Sequence, residues 1–153
     1  MNLEIVDSKI HHCGKMARNA RQKWKENSVL YDKNAHRIVY DDFNRSMICK
    51  TAILDGKVIS MGGAVSDFIS DICYVWFIGS DFNIKMKLSI MKELIRNIKN
   101  ILITKKKVYS FFDLNDKEGM RMAEFLGFEP SLDISHNHGS YIIMEINKEN
   151  FRR

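Results

Sequence analysis

Any chemistry in this chain must come from a short roster of side chains. Asp81 stands just past the apolar run Ile72-Cys73-Tyr74-Val75-Trp76-Phe77-Ile78 and the pair Gly79-Ser80. Such a run predicts a central strand covered on both faces, and α/β sheets place their sites just past the carboxyl ends of such strands. A carboxylate there could act as general base towards an amine, which needs a proton acceptor within reach of its nitrogen. It could equally be the acid that stabilises the start of the following helix. Asn115 has the same double reading, as a hydrogen-bonding group at a strand exit or as a helix cap.

Other clusters carry less. His11-His12-Cys13 and His136-x-His138 invite a metal, yet no further ligand spacing accompanies either, so none is expected. Cys13, Cys49 and Cys73 are scattered and odd in number, which predicts three reduced, mostly buried thiols. Tyr74 and Trp76 share one face of their strand, either lining an acceptor cleft or forming a core pair. Lys85, Lys87, Lys92, Arg96 and Lys99, continued by Lys105-Lys106-Lys107, make a basic stripe. It is either a solvated helix face or a surface for phosphate backbones. No aromatic series interleaves it, so sequence-specific single-strand binding is not indicated.

The elements that must position these groups follow from periodicity. Leu3 to Val6 alternates as a first strand. Ile10, Cys13, Ala17, Ala20 and Trp24 recur at helical spacing, predicting one helix from Ile10 to Asn27. Asn34 caps a second towards Arg45, with Ala35, Ile38, Val39 and Phe43 inward. Two strands flank the hairpin turn Asp55-Gly56, and Gly62-Gly63 in the second predicts a bulge or a close backbone approach. Ile84, Leu88, Met91, Ile95, Ile98 and Leu102 predict a long helix. A strand from Val108 to Leu114 leads to a short helix capped by Asn115 or Asp116 and ended by Gly127. Closing strands are expected near 131–135 and 140–146, joined by His136-Asn137-His138-Gly139. The segment from Ile72 to Leu114 is a βαβ unit, so its two strands should be parallel. A mixed sheet with helices on both faces is the expected α/β architecture.

Length and composition fit this. A chain of 153 residues predicts one domain, 1–153, with a core large enough to need no staple. Hydrophobic content of 45% beside 28% charged residues excludes a disordered chain, and a single proline excludes Pro-rich linkers. The formal charge of +5 is a mild bias towards anionic partners. No apolar run reaches the roughly 18 residues of a membrane span. The start, Met1 to Asp7, lacks the basic and apolar regions of a signal peptide, so a cytoplasmic location without membrane association is expected.

The order of elements, the Asp55-Gly56 hairpin, the Trp76 strand with its long helix, and Asn115 through Leu126-Gly127-Phe128 together resemble the GNAT (GCN5-related N-acetyltransferase) superfamily. More narrowly, Trp76-Phe77-Ile78-Gly79-Ser80-Asp81 is similar to the Trp-Leu-Leu-Gly-Thr-Asp stretch of GNAT-like proteins of tailed bacteriophages, some of them called internal virion proteins. Met16-Ala17-Arg18 and Arg121 fit the same group. The resemblance covers roughly residues 3 to 130. It implies the acyl-CoA N-acyltransferase fold, a mixed, mostly antiparallel sheet whose central parallel pair splays apart, with acetyl-CoA as cofactor. The backbone of Phe77, Ile78, Gly79 and Ser80 would then pair with the pantetheine arm, and Asn115 would hydrogen-bond it. Amides around Ile84 to Lys87, with Lys85 and Lys87, would hold the pyrophosphate at the helix N-terminus.

The chain departs from the superfamily pattern twice. The glycine-rich pyrophosphate loop is replaced by Asp81-Phe82-Asn83-Ile84-Lys85-Met86-Lys87, which has no glycine. The tyrosine that protonates the departing thiolate is replaced by Ala123. Three functions follow as expectations. The first is a phage-type acetyltransferase acting on a primary amine of a small molecule or protein, with Asp81 as base. The second is a non-catalytic GNAT-like module, virion-associated or host-interacting. The third is a basic accessory protein that binds nucleic acid through residues 85–107.

Overall fold

The computed structural model describes residues 2–29, 34–66, 69–81, 84–131 and 140–152, without the side chains of 27–29, 84 and 85. In chain order the elements are β1 (Leu3–Asp7), α1 (Ile10–Asn19), α2 (Gln22–Val29), α3 (Ala35–Arg45), β2 (Ile48–Leu54), β3 (Lys57–Val65), β4 (Ile72–Gly79), α4 (Ile84–Thr104), β5 (Lys107–Asp113), α5 (Lys117–Leu126), β6 (Glu129–Pro130) and β7 (Tyr141–Asn147). The strands form a mixed sheet in the order β1-β2-β3-β4-β5-β7-β6. Strands β1 with β2, β2 with β3, β5 with β7 and β6 with β7 pair antiparallel, and β4 with β5 pairs parallel as the βαβ pattern requires. The chain forms two compact units, residues 1–65 with 76–88, and residues 66–75 with 89–153.

In the first unit the Asp55-Gly56 turn has φ of 47° and 80°, the paired positive values of the expected hairpin turn. The β2–β3 register shifts between Ala52 and Ile53, so the irregularity lies near the turn and not at Gly62-Gly63. Those two glycines mark a close approach instead. Asn34 caps α3 as its sequence predicts, its side chain accepting from the Arg37 N–H at 2.9 Å. Met16, Val39, Met61 and Val58 are buried at the core of this unit.

The expected helix from Ile10 to Asn27 is two helices. Ala20 turns extended, with ψ of 151°. The Arg21 N–H then donates to the Gly79 carbonyl at 3.0 Å. Asn19 Nδ2 donates to the Val58 carbonyl at 2.9 Å. Periodicity could not reveal this, because Ala17, Ala20 and Trp24 keep helical spacing through a break held by distant carbonyls.

His12 is buried at the start of α1, where its Nδ1 accepts the Lys9 N–H at 3.0 Å. Burial, then the charges of His11, Lys15 and Lys9, hold its pKa below the ordinary 6.5. The unfolded chain therefore takes up a proton near pH 6.5 that the folded chain resists, so stability present above 6.5 is lost as pH falls below it. Urea midpoints should drop between pH 7.5 and pH 5. His12→Asn, which keeps an acceptor but does not titrate, should flatten that slope; an unchanged slope would refute the assignment.

In the second unit Cys73, Val108, Ser110, Met144 and Ile146 are buried together with Ile98 and Leu102 of α4 and Ala123 and Leu126 of α5. Tyr74, Tyr109 and Phe111 form a ring cluster with centroids 5.5 to 6.1 Å apart. Gly127 ends α5 at φ 96°, as expected of its position. The cap of α5 is Asp116, which accepts the Gly119 N–H at 3.1 Å, and not Asn115. On α4 the inward residues include Met86 and Ile90, while Leu88 is 52% exposed, so the expected stripe is displaced in its first turns. The strand before β7 is Glu129–Pro130, and the expected strand and histidine turn over 132–139 lie outside the described residues.

Candidate functional site

The site is built on the carboxyl half of β4. The β4–β5 register runs Ile72↔Lys107, Cys73↔Val108, Tyr74↔Tyr109 and ends there, although both strands continue. At the next position the Ser110 hydroxyl donates to the Val75 carbonyl at 2.6 Å. Main-chain groups on a strand alternate between its two edges. The Trp76 carbonyl lies 3.0 Å from where a β-carbon on Gly62 would stand, so it faces β3. Val75, Phe77 and Gly79 therefore present their carbonyls along the other edge. Val75 is taken by Ser110, and Gly79 by Arg21. Phe77 lies between them, beyond the last rung with β5.

The neighbouring residues are more constrained than the sequence indicated. Ile78 is buried, and Phe77 and Gly79 are half-buried. Ser80 is buried, with both its N–H and its hydroxyl donating to the Ile59 carbonyl, at 2.8 and 3.0 Å. Its side chain thus anchors the strand end to β3. Asp81, one residue on, is exposed. Its neighbours 82–83 and the Lys85 side chain lie outside the described residues. α4 has no acidic residue in its first turn, and Lys87 there is half-buried. An acid-free N-terminus on a 21-residue helix favours an anion electrostatically. Asn115 is exposed, and its N–H donates to Asp113 Oδ1 at 3.0 Å. Ala123 on α5 is 0% exposed.

Trp76 is a core residue with a polar anchor. Its Nε1 donates to Ser46 Oγ at 2.8 Å, and that hydroxyl donates in turn to the Asp42 carbonyl at 2.6 Å. The end of the basic stripe is occupied. Lys105 is 9% exposed with Nζ 2.6 Å from the Ser70 carbonyl, Lys106 pairs with Asp71 at 2.9 Å, and Lys107 with Glu145 at 3.1 Å. Lys92, Arg96 and Lys99 are exposed.

The thiols are free, and burial pushes all three up, Cys49 to about 11, so none is a ready nucleophile. Among the described residues no three His, Cys, Asp or Glu side chains gather as a metal site, and no helix is long and apolar enough to cross a membrane.

Sequence reasoning missed Ser110, Arg21 and Ser46. A hydroxyl inside the apolar run Val108-Tyr109-Ser110-Phe111-Phe112 was the available signal for the first. The Arg21 role runs through its main chain and left no signal.

No family model matches the sequence, and no curated protein does. Solved structures match over nearly the whole chain. An aminoglycoside 6'-acetyltransferase type Ii superposes with a TM-score of 0.71 at 15% identity, covering 95% of this chain and 97% of its own. The chain has the GNAT acyltransferase fold. PaiA N-acetyltransferase of Thermoplasma acidophilum, solved with coenzyme A, matches at 0.63 and 17% identity over 96% and 99% of the two chains. YncA of Salmonella typhimurium, solved with its cofactor acetyl-CoA, matches at 0.65 and 11% over 95% and 94%. The expected mixed sheet with one parallel pair is thus the GNAT arrangement, and these likenesses concern the fold.

Proposed function

We propose that this chain is a phage-type GNAT acetyltransferase that moves acetyl from acetyl-CoA to a primary amine of a small molecule or a protein. The observation that carries this reading is the end of the β4–β5 ladder at Tyr74, which leaves the Phe77 main chain beyond the last rung. An extended amide-bearing arm pairs with such an edge as another strand would. When bound, acetyl-CoA supplies an activated thioester carbonyl and a thiol leaving group. Phe77 would hold the arm through its N–H and carbonyl. The α4 amides, with Lys85 and Lys87, would face the pyrophosphate, and the lack of glycine over 81–87 makes that docking looser than a glycine loop would. Asp81 would accept the proton of the attacking amine. Ala123 has no proton to give, so the departing thiolate would take one from water. The phage assignment rests on the Trp76-to-Asp81 stretch.

A second reading has its own support. A fully buried Ala123 at the tyrosine position suits a module that binds without turning over, used for contact with a virion or host protein. The two separate in one experiment. Acetyl-CoA is mixed with the protein and a panel of polyamines, aminosugars and lysine peptides, and free thiol is followed. The proposal expects amine-dependent thiol release that falls strongly in Asp81→Asn. Binding without release would favour the second reading, and no binding at millimolar acetyl-CoA would sink the first.

A further inference from the structure

We propose that the outward face of α4 docks the phosphate backbone of a DNA duplex through a row of Lys92, Arg96 and Lys99, with Lys148 at the row's end. This activity is separate from acetyl transfer and stands without it. α4 carries a single acidic residue, Glu93. Lys92, Arg96 and Lys99 are exposed and four and three residues apart, which puts them on one side of the helix over about 10 Å. Among the described residues no carboxylate pairs with Lys92 or Lys99. Arg96 meets Glu93 Oε1 at 2.7 Å, yet its side chain is 71% exposed against 17% for Glu93. One of its five donors is therefore occupied, and the rest of the guanidinium faces solvent.

A tertiary contact extends the row. Lys148 follows β7 in the chain, and its N–H donates to the Lys106 carbonyl at 2.8 Å. Its Nζ donates to the Ile103 carbonyl at 3.2 Å, which brings an exposed ammonium to the last turn of α4. Cationic groups thus run from Lys92 to the turn of Ile103, about 16 Å along the axis. All of them belong to the second compact unit.

The spacing and the surroundings of the row select its occupant. One strand of a duplex presents a phosphate about every 3.4 Å of axis, so a rigid row of this length faces several phosphates at once. α4 has no aromatic residue, so nothing on it stacks with unpaired bases. An anionic membrane fits less well, because the apolar side of α4, at Ile90, Ile98 and Leu102, is buried within this chain and cannot enter lipid.

The test is fluorescence anisotropy of a labelled random-sequence duplex of about 20 base pairs with the full chain, from about 50 to about 200 mM salt. Four phosphate contacts predict a slope of log affinity against log salt of about −3.6, so binding should weaken about 150-fold over that range. Combining Lys92→Gln, Arg96→Gln and Lys99→Gln should bring the slope to about −0.9, and Lys99→Gln alone to about −2.7. Combining Lys15→Gln, Lys23→Gln and Lys57→Gln removes the same charge from exposed positions of the first unit, and should leave the slope at its wild-type value. No duplex binding at the lower salt would overturn the proposal. So would equal losses in the two triple variants, or capture by phosphatidylserine vesicles without duplex binding.

Discussion

Gly63→Ala is expected to lower stability by about 3 kcal/mol, the sum of an overpacked site and a displaced, part-buried hydrogen bond. A β-carbon at Gly63 would stand 2.5 Å from Ser46 Oγ, 2.7 Å from Trp76 Nε1 and 2.9 Å from the Ile48 carbonyl. Two of those atoms are the donor and acceptor of one part-buried hydrogen bond, and the third is main chain. None can yield without loss. In a chain of this size the change corresponds to a melting temperature about 10 °C lower. Because Ser46 Oγ is the nearest atom, Ser46→Ala should relieve part of the clash, so the double variant should lose less than the two single losses added. Additive losses, or a Gly63→Ala protein as stable as wild type, would show that the glycine is not required by this contact.

Ala123→Tyr, the change that would restore the missing phenol, is expected to cost about 3 kcal/mol and to leave turnover no higher. Ala123 is fully enclosed on the inner side of α5, and its carbonyl accepts from both Gly127 and Phe128 at the end of that helix. Leu126 and Phe128 are buried close by in sequence, so the residues around the helix end are already packed. A ring there must displace core side chains or the helix end. Chemical denaturation gives the stability, and thiol release at saturating acetyl-CoA gives the turnover. A stable variant with faster release would contradict the reading in which water protonates the thiolate.

Much of the fold was legible because the signals are local. Asp55-Gly56 has a turn chemistry of its own, Gly127 adopts the left-handed geometry that glycine tolerates best, and Asn34 caps with its own side chain. The apolar run from Ile72 declared a central strand because few other elements tolerate two covered faces.

The rest depends on distant partners. The break at Ala20 is held by carbonyls of Val58 and Gly79. Lys105 resembles its exposed neighbour Lys106 in sequence, yet it turns inward because the Ser70 carbonyl accepts its ammonium. Leu88 and Met86 are both apolar and two residues apart, and only the packing of α4 decides which faces in. The sequence marked β4 as a central strand, whereas the engagement of the Val75 and Gly79 carbonyls by Ser110 and Arg21 is a tertiary fact.

The central claim, that the edge of β4 past Tyr74 receives the arm of acetyl-CoA, is tested most directly by thermal unfolding with and without that compound. At a hundredfold excess over its dissociation constant, acetyl-CoA should stabilise the chain by about 2.7 kcal/mol, a rise of roughly 8 °C. Coenzyme A, which shares the arm, should give most of the same rise. A melting temperature unmoved by either at millimolar concentration would contradict the account.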